Sequence, residues 1–108
     1  MTPKQIRQAR PEDIEAIISV WRTSVLASHS FFSPEDVASF TPSFREYAQY
    51  ANIWVWEEEE MQGFIGIRDS MILTLFVHPS HFRQGIGREL IHFGIQHCAA
   101  TRVSVYEA

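Results

Sequence analysis

The first part of the chain carries apolar residues at helical spacing. Pro11 suits the first turn of a helix, and Glu12 and Asp13 suit the positive end of its dipole. The pattern predicts a helix over about Pro11–Ala27, although Arg10 is a poor capping residue. The apolar members of this stripe are Ile14, Ile17, Ile18, Trp21 and Val25.

A second helical pattern follows, and it contains a proline. Ser33 has the position of an N-cap, and Asp36 has the reciprocal position of a capping box. Because Pro42 lacks a backbone donor, we expect it to interrupt the helix. Ser43 and Glu46 then repeat the spacing of a capping box. The region therefore predicts two short helices or one broken helix.

A short strand is predicted over Ile6–Ala9, before the first helix. A run of three further strands follows the second helical pattern. The acidic segment Glu57–Glu60 and the pair Asp69–Ser70 supply the turns between these strands. Short connections between adjacent strands imply an antiparallel meander. The three strands of the run are Ile53–Trp56, Gly63–Ile67 and Ile72–Val77.

The C-terminal part predicts one more helix and one more strand. The helix ends near Ala100, and a strand over Arg102–Tyr106 follows it. We expect this strand to return parallel to the one that ends at Val77, through a right-handed crossover. The predicted fold class is thus α/β (α+β), with a mixed sheet flanked by helices, in which the first four strands form an antiparallel meander and the fifth is parallel. One face of the helix carries Gly87, Leu90, Ile91, Gly94, Ile95 and Cys98.

Length, composition and charge limit the class of protein. The 108 residues suit one domain, and the 45% apolar content predicts a packed core. With a net charge of -4 and no dense Lys/Arg cluster, we expect no nucleic-acid partner. No leader or membrane-spanning run is recognisable, and Cys98 has no second cysteine to pair with, so a cytoplasmic protein is expected. The five histidines lack metal-ligand spacing, so we predict no metal site.

The segment from Leu73 to Leu90 has the make-up of an anion cradle. Gly85 and Gly87 let a ligand approach the backbone closely, at the point where the last helix begins. The first amides of that helix have no acceptor within the helix, and its dipole adds positive potential. On this pattern alone the two glycines more often mark only a tight turn than a phosphate site. The pattern is neither a Walker loop nor a Rossmann fingerprint.

The chain resembles the GCN5-related N-acetyltransferase (GNAT) family. Leu75–Pro79 followed by Arg83–Leu90 resembles motif A of that family, and Gly63–Gly66 resembles its third strand. Ile6–Arg10, with Asp13 after it, resembles the family's opening strand and helix. A likeness to the YjaB-like bacterial branch is carried by Trp21, Ser24, His29, Phe31 and Ser33.

The resemblance implies a cosubstrate, acetyl-CoA, and a place for it. The backbone of Leu75, Phe76 and Val77 is then expected to pair with the pantetheine arm. An amine, on a small molecule or a peptide, is the implied acceptor of the acetyl group. The backbone amides implied to hold the diphosphate are those of Arg83, Gln84, Gly85, Ile86, Gly87 and Arg88.

The sequence departs from the family pattern at two places. Phe82 occupies the first Arg/Gln position of the loop, and the chain stops at Ala108, before the family's C-terminal helix and two strands. The catalytic tyrosine of that helix has no counterpart here, so Tyr106 and Glu107 are the candidate catalytic residues, with a solvated terminus as the alternative. We also expect the last strand to be an open edge at which two chains form a homodimer. A non-catalytic acyl-CoA-binding module and a dimerisation module remain alternatives to an enzyme.

Three further residue types allow both a functional and a structural interpretation. His29 contacts the acceptor or packs in the loop after the first helix. Trp54 and Trp56 share one strand face, which favours core packing over ligand stacking. Cys98 lies on the apolar face of the last helix, which favours a buried, unreactive thiol.

Overall fold

The computed structural model describes residues 5–28, 32–82, 84–98, 100 and 102–103, which form one sheet with helices on both faces. Two 3₁₀ turns, Pro11–Asp13 and Pro79–His81, precede the first and third helices. The helices are α1 (Ile14–Ser28), α2 (Pro34–Tyr50) and α3 (Ile86–Cys98). The strands are β1 (Ile6–Gln8), β2 (Asn52–Glu58), β3 (Glu60–Arg68), β4 (Met71–Val77) and β5 (Arg102–Val103).

The sheet has the predicted topology. Its five strands follow the order β1-β2-β3-β4-β5, with antiparallel pairing from β1 to β4 and parallel pairing between β4 and β5. The parallel pair is connected through α3, as expected for a crossover. The mixed α/β sheet is therefore confirmed, whereas residues 104–106 of the predicted last strand lie outside the described residues.

Two apolar clusters hold the helices to the sheet, one on each face. On the α1/α2 face, Trp21 stacks on Phe44 with 4.4 Å between ring centroids, and both pack with the fully buried Phe64. On the α3 face, the Trp54 ring lies 4.7 Å from the Phe93 ring, and Trp56 is buried. Core packing of the two strand tryptophans is thus confirmed. Alternation along β3 sends Phe64 to one face and Ile65 to the other.

The start of the first helix relies on a side chain other than its N-cap. The chain enters through the 3₁₀ turn Pro11–Asp13, and the Asp13 carboxylate accepts a hydrogen bond from the Arg10 amide at 2.7 Å. Arg7, on β1, donates to both Asp13 oxygens, at 2.8 and 3.0 Å. Asp13 therefore ties the first strand to the first helix, in addition to lying at the positive end of the helix dipole.

The predicted interruption of the second helix is wrong. The capping box is present, since the Ser33 hydroxyl accepts from the Asp36 amide at 3.1 Å and Asp36 accepts from the Ser33 amide at 3.0 Å. However, α2 continues through Pro42 as one helix. Val37 and Phe44 are buried in the same apolar cluster on either side of the proline, and this packing outweighs the lost backbone bond.

The apolar face predicted for the last helix is partly wrong. Ile95 is 53% exposed, whereas Phe93 is 3% exposed and lies in the core. Gly94 faces the sheet so closely that an added Cβ would lie 3.0 Å from the Ile67 side chain. The buried stripe thus runs through Ile86, Leu90, Phe93 and Gly94, and Ile95 lies outside it.

The turns between strands are tighter than the sequence pattern suggested. β2 runs to Glu58 and β3 begins at Glu60, so the acidic turn reduces to Glu59, which has a φ of 67°. Asp69 and Ser70 form the predicted β3–β4 turn, with φ values of 51° and 63°. Positive φ at both central positions is the geometry of a type I′ hairpin turn, which matches the twist of the flanking strands.

Candidate functional site

The site is organised by the start of α3, directly after β4. The first backbone bond of the helix runs from the Glu89 amide to the Gly85 carbonyl, at 3.0 Å. The amides of Gly85, Ile86, Gly87 and Arg88 precede that bond, so they have no acceptor within the helix. Gly85 has a φ of 84°, a left-handed conformation that glycine adopts without strain. Its absent side chain leaves open space, because nothing lies within 4 Å of a Cβ built there.

A cavity of about 390 Å³ lies against these residues. None of its described lining residues carries a carboxylate, and Arg88 lies exposed in the same helical turn as Gly87. The helix dipole adds positive potential at this end of α3. The cavity therefore suits an anionic group bound by backbone amides. It is lined by Val77, His81, Phe82, Gly85, Ile86 and Gly87.

The connection from β4 to α3 is held by two histidines. The His78 Nδ1 accepts hydrogen bonds from the Ser80 amide at 3.2 Å and lies 2.6 Å from the Ser80 hydroxyl. The His81 Nδ1 lies 3.3 Å from the Gln84 Oε1, so this nitrogen is the donor of that pair. The two rings meet edge to face at 6.2 Å. These contacts shape the approach to the cavity.

β4 contains a β-bulge. Gly66 pairs with Thr74 and Ile67 pairs with Ile72, so Leu73 is an extra residue on β4 relative to β3. Among the described residues, the pairing of β4 with β5 covers Met71 and Ile72, before the bulge. After the bulge, Leu75, Phe76 and Val77 are all half-buried. A bulge bends its strand, and this bend lies at Leu73, before the residues of β4 that lead towards α3.

A tyrosine from α2 reaches the same bulge. The Tyr47 hydroxyl and the Thr74 Oγ1 lie 2.8 Å apart, within hydrogen-bond distance. Burial raises the pKa of Tyr47 above its ordinary value near 10, and the Thr74 hydrogen bond opposes this shift more weakly, so the phenol is neutral. Tyr47 belongs to none of the motifs in the sequence, so the sequence alone assigns it no function. The signal that could have found it is Gly66, a glycine in a strand interior that leaves room for a neighbouring group.

A larger cavity, of about 860 Å³, opens at the other end of β4. The Tyr47 ring forms part of its wall, with Glu46 beside it on α2 and Asp69 on the β3–β4 turn. Cys98 is also part of the wall, and burial raises the pKa of its thiol, which keeps the thiol protonated. Cys98 is thus half-buried at a cavity wall, rather than buried as the sequence predicted.

The structure brings most of the predicted cosubstrate residues together. Leu75 and Val77 of β4 lead directly into the segment that contains Gln84, Gly85 and Arg88. Five residues of interest lie outside the described residues: Arg83 of the loop, the catalytic candidates Tyr106 and Glu107, and His29 and Phe31 of the α1–α2 connection.

The described residues contain no group of three or more His, Cys, Asp or Glu side chains that could hold a metal ion. No helix in the described ranges is long and apolar enough to cross a membrane.

Comparison with known proteins identifies the family. The profile of the Acetyltransferase (GNAT) domain family matches residues 49–107. The peptidyl-lysine N-acetyltransferase YiaC of Escherichia coli K12 is 31% identical over 105 residues, which are 94% of this chain and 72% of that protein.

Solved structures share the fold. The solution structure of apo YjaB from Escherichia coli matches with a TM-score of 0.75 at 29% identity, over 83% of this chain and 63% of that one. The PaiA N-acetyltransferase of Thermoplasma acidophilum, solved with coenzyme A, matches with a TM-score of 0.64 at 22% identity, over 81% of this chain and 66% of that one. The chain thus spans 63% to 72% of the length of YjaB, PaiA and YiaC. On the profile match and the identity to YiaC, this chain belongs to the GNAT acetyltransferase family.

Proposed function

We propose that this chain is an acetyl-CoA-dependent N-acetyltransferase domain that binds the diphosphate of its cosubstrate at the start of α3. The observation that carries the proposal is the set of four helix-start amides, Gly85–Arg88, beside a cavity whose described lining has no carboxylate. A diphosphate can accept from several of these amides at once, and no metal is needed to neutralise it. The PaiA neighbour solved with coenzyme A has the same fold.

The pantetheine arm belongs, in this proposal, along β4 after the bulge. The residues of β4 after the bulge are half-buried and lead towards the start of α3. An extended arm with amide groups can add to a strand edge by main-chain hydrogen bonds, as peptides do. Leu75, Phe76 and Val77 are the residues that would provide this edge.

In this proposal the chain acts mainly by positioning the thioester of acetyl-CoA, and the thioester itself supplies the reactive group. When bound, acetyl-CoA supplies an acetyl group activated as a thioester, which a neutral amine takes up as an amide while the CoA thiol leaves. The helix-start amides fix one end of the cosubstrate and the edge of β4 fixes the other, so the reacting carbonyl is held at a set depth in the site. Tyr106 and Glu107 remain the candidates for proton transfer, outside the described residues.

The proposed acceptor is the side-chain amine of a lysine in a protein. YiaC and YjaB carry names that describe peptidyl-lysine N-acetyltransferases. A lysine must lose its proton before it attacks, so turnover should rise with pH until the free amine dominates.

Two measurements test the function. Calorimetric titration with acetyl-CoA should show saturable binding with a stoichiometry of one per chain, and thiol release should require a lysine-containing peptide. Absence of binding by the folded chain would refute the proposal. Binding without thiol release would favour the alternative, a non-catalytic acyl-CoA-binding module.

We also propose that two chains associate through β5, which lies last in the described strand order. Strand edges pair readily with a second copy of the same edge. Light scattering coupled to size exclusion should give the mass of a dimer, and the mass of a single chain at high concentration would contradict it. A cytoplasmic location is proposed on the single cysteine, which favours a reducing compartment.

A further inference from the structure

The contact between Tyr47 and Thr74 joins two elements that are far apart in sequence. Tyr47 lies in the last turns of α2, and Thr74 lies in the middle of β4. Their hydroxyl oxygens are 2.8 Å apart, and Tyr47 is half-buried. A hydrogen bond in such a setting contributes more than one at the surface, because water cannot replace either partner freely.

Thr74 is the first residue after the extra residue of the bulge. The ladder to β3 has Gly66 opposite Thr74 and Ile67 opposite Ile72, with Leu73 between them. Without the extra residue, the register of β4 against β3 beyond Ile72 would slip by one residue, and every later side chain would point to the opposite face. The Tyr47 bond opposes that shift, because it requires the Thr74 hydroxyl to face α2.

Gly66 leaves the space that the hydroxyl groups of Tyr47 and Thr74 occupy. A Cβ built on Gly66 would lie 2.2 Å from the Tyr47 hydroxyl and 2.5 Å from the Thr74 Oγ1. Both distances are far below ordinary contact, so any side chain here would displace the pair. β3 has no side chain at Gly66, and the Tyr47 hydroxyl lies close to where a Cβ would be.

We propose that the Tyr47–Thr74 hydrogen bond fixes the bulge of β4, which makes Tyr47 a positioning residue for the acyl-pantetheine arm of the cosubstrate. The inference rests on the proposed function, since the arm is placed along Leu75–Val77, directly after Thr74. Tyr47 acts through Thr74 and the backbone of the bulge. Tyr47 does not belong to the described lining of the cavity at the start of α3, so we expect the diphosphate cradle to be independent of it.

Two ligands separate this role from a general loss of structure. Acetyl-CoA contacts both the cradle and β4 in this proposal. The nucleotide half of CoA, adenosine 3′-phosphate 5′-diphosphate, contacts the cradle alone. Tyr47→Phe removes one hydroxyl and keeps the ring, and Thr74→Val removes the other and keeps the shape. Thr74→Ser is the matched control, because it keeps the hydroxyl.

The expected result is a selective loss. Calorimetry should show acetyl-CoA affinity reduced by about two- to tenfold in Tyr47→Phe and in Thr74→Val, the range that one hydrogen bond supplies. Affinity for the nucleotide half should not change, and Thr74→Ser should bind both ligands like the unaltered chain. The double variant should be no weaker than either single variant, because both remove the same bond.

Other results would overturn the inference. Unchanged acetyl-CoA affinity in Tyr47→Phe would refute it and leave the proposed function intact, and equal losses for both ligands would reduce Tyr47 to a structural role. If the unaltered chain binds neither ligand, the proposed function fails instead. Amide hydrogen exchange then decides about Tyr47: exchange at Leu73–Leu75 should be faster in Tyr47→Phe, and an unchanged rate would refute the inference.

Discussion

Asp13 is the clearest case of a single side chain whose role depends on its neighbours. Its carboxylate accepts from the Arg7 guanidinium at 2.8 and 3.0 Å and from the Arg10 amide at 2.7 Å. The sequence placed Asp13 correctly at a helix start but gave no reason to pair it with Arg7. That pairing depends on the antiparallel register of β1 with β2, which fixes where the Arg7 side chain points.

The Arg7 hydrogen bonds, opposed by burial, lower the pKa of Asp13 to about 2. In the unfolded chain this carboxyl has its ordinary pKa near 4, so the unfolded state binds the proton first as the pH falls. The contribution of Asp13 is thus complete above pH 4 and is lost between pH 4 and pH 2. It amounts to about 2 kcal/mol of unfolding free energy.

Asp13→Asn should make the free energy of unfolding depend less on pH between pH 4 and pH 2. Urea denaturation at a series of pH values measures the difference between the original chain and the variant. Above pH 5 we expect a constant difference, which narrows as the pH approaches 2. A difference independent of pH would contradict this account of Asp13.

Gly66 makes a second prediction at the residue scale. Gly66→Ala should lower the free energy of unfolding by about 1–3 kcal/mol, because the new methyl group collides with the two hydroxyls of the Tyr47–Thr74 pair. Combining it with Tyr47→Phe removes the nearer of the two oxygens, so the double variant should lose less than the sum of the single losses. Strict additivity in urea denaturation would show that the collision is not the cause.

The elements were predictable to the extent that local rules and packing agreed. The capping box at Ser33 and Asp36, the turn at Asp69 and Ser70, and the glycine at the start of α3 all act locally, and the structure confirms each. Pro42 shows where local rules fail, because a helix interior that loses one bond survives when both flanks are packed. The bulge in β4 has no local signature at all, since it exists only in the register with β3.

Pro42 should therefore lower the free energy of unfolding relative to an alanine at the same position. Pro42→Ala restores a donor for the Ala38 carbonyl, and we expect the free energy of unfolding to rise by about 1–3 kcal/mol. Thermal denaturation followed by circular dichroism measures the change. Ser43→Ala, at the next exposed position of the helix, is the control and should change stability by only a few tenths of a kcal/mol. A destabilised Pro42→Ala variant would mean that the helix depends on the proline.

At the scale of the whole molecule, the sheet order followed from the sequence, and the pairing of Tyr47 with Thr74 did not. The likeness of Leu75–Pro79 and Arg83–Leu90 to one family motif predicted the family, acetyl-CoA as cosubstrate and acetyl transfer to an amine, which the family assignment confirms as the class of function. Tyr47 lies far from that motif in sequence, and only the folded register brings it to β4. Motifs thus reveal contiguous sites, whereas contacts between distant elements require the fold.

The central claim is that bare amides at the start of α3 bind the diphosphate of coenzyme A, and Gly85 offers a matched pair of variants to test it. Asn and Asp both tolerate the left-handed conformation of Gly85 and have the same shape, so Gly85→Asn and Gly85→Asp carry equal strain and differ by one negative charge. Calorimetric titration with acetyl-CoA should give Gly85→Asp an affinity at least about tenfold weaker than that of Gly85→Asn, with the gap shrinking as salt is added. Equal affinities of the two folded variants would contradict the claim.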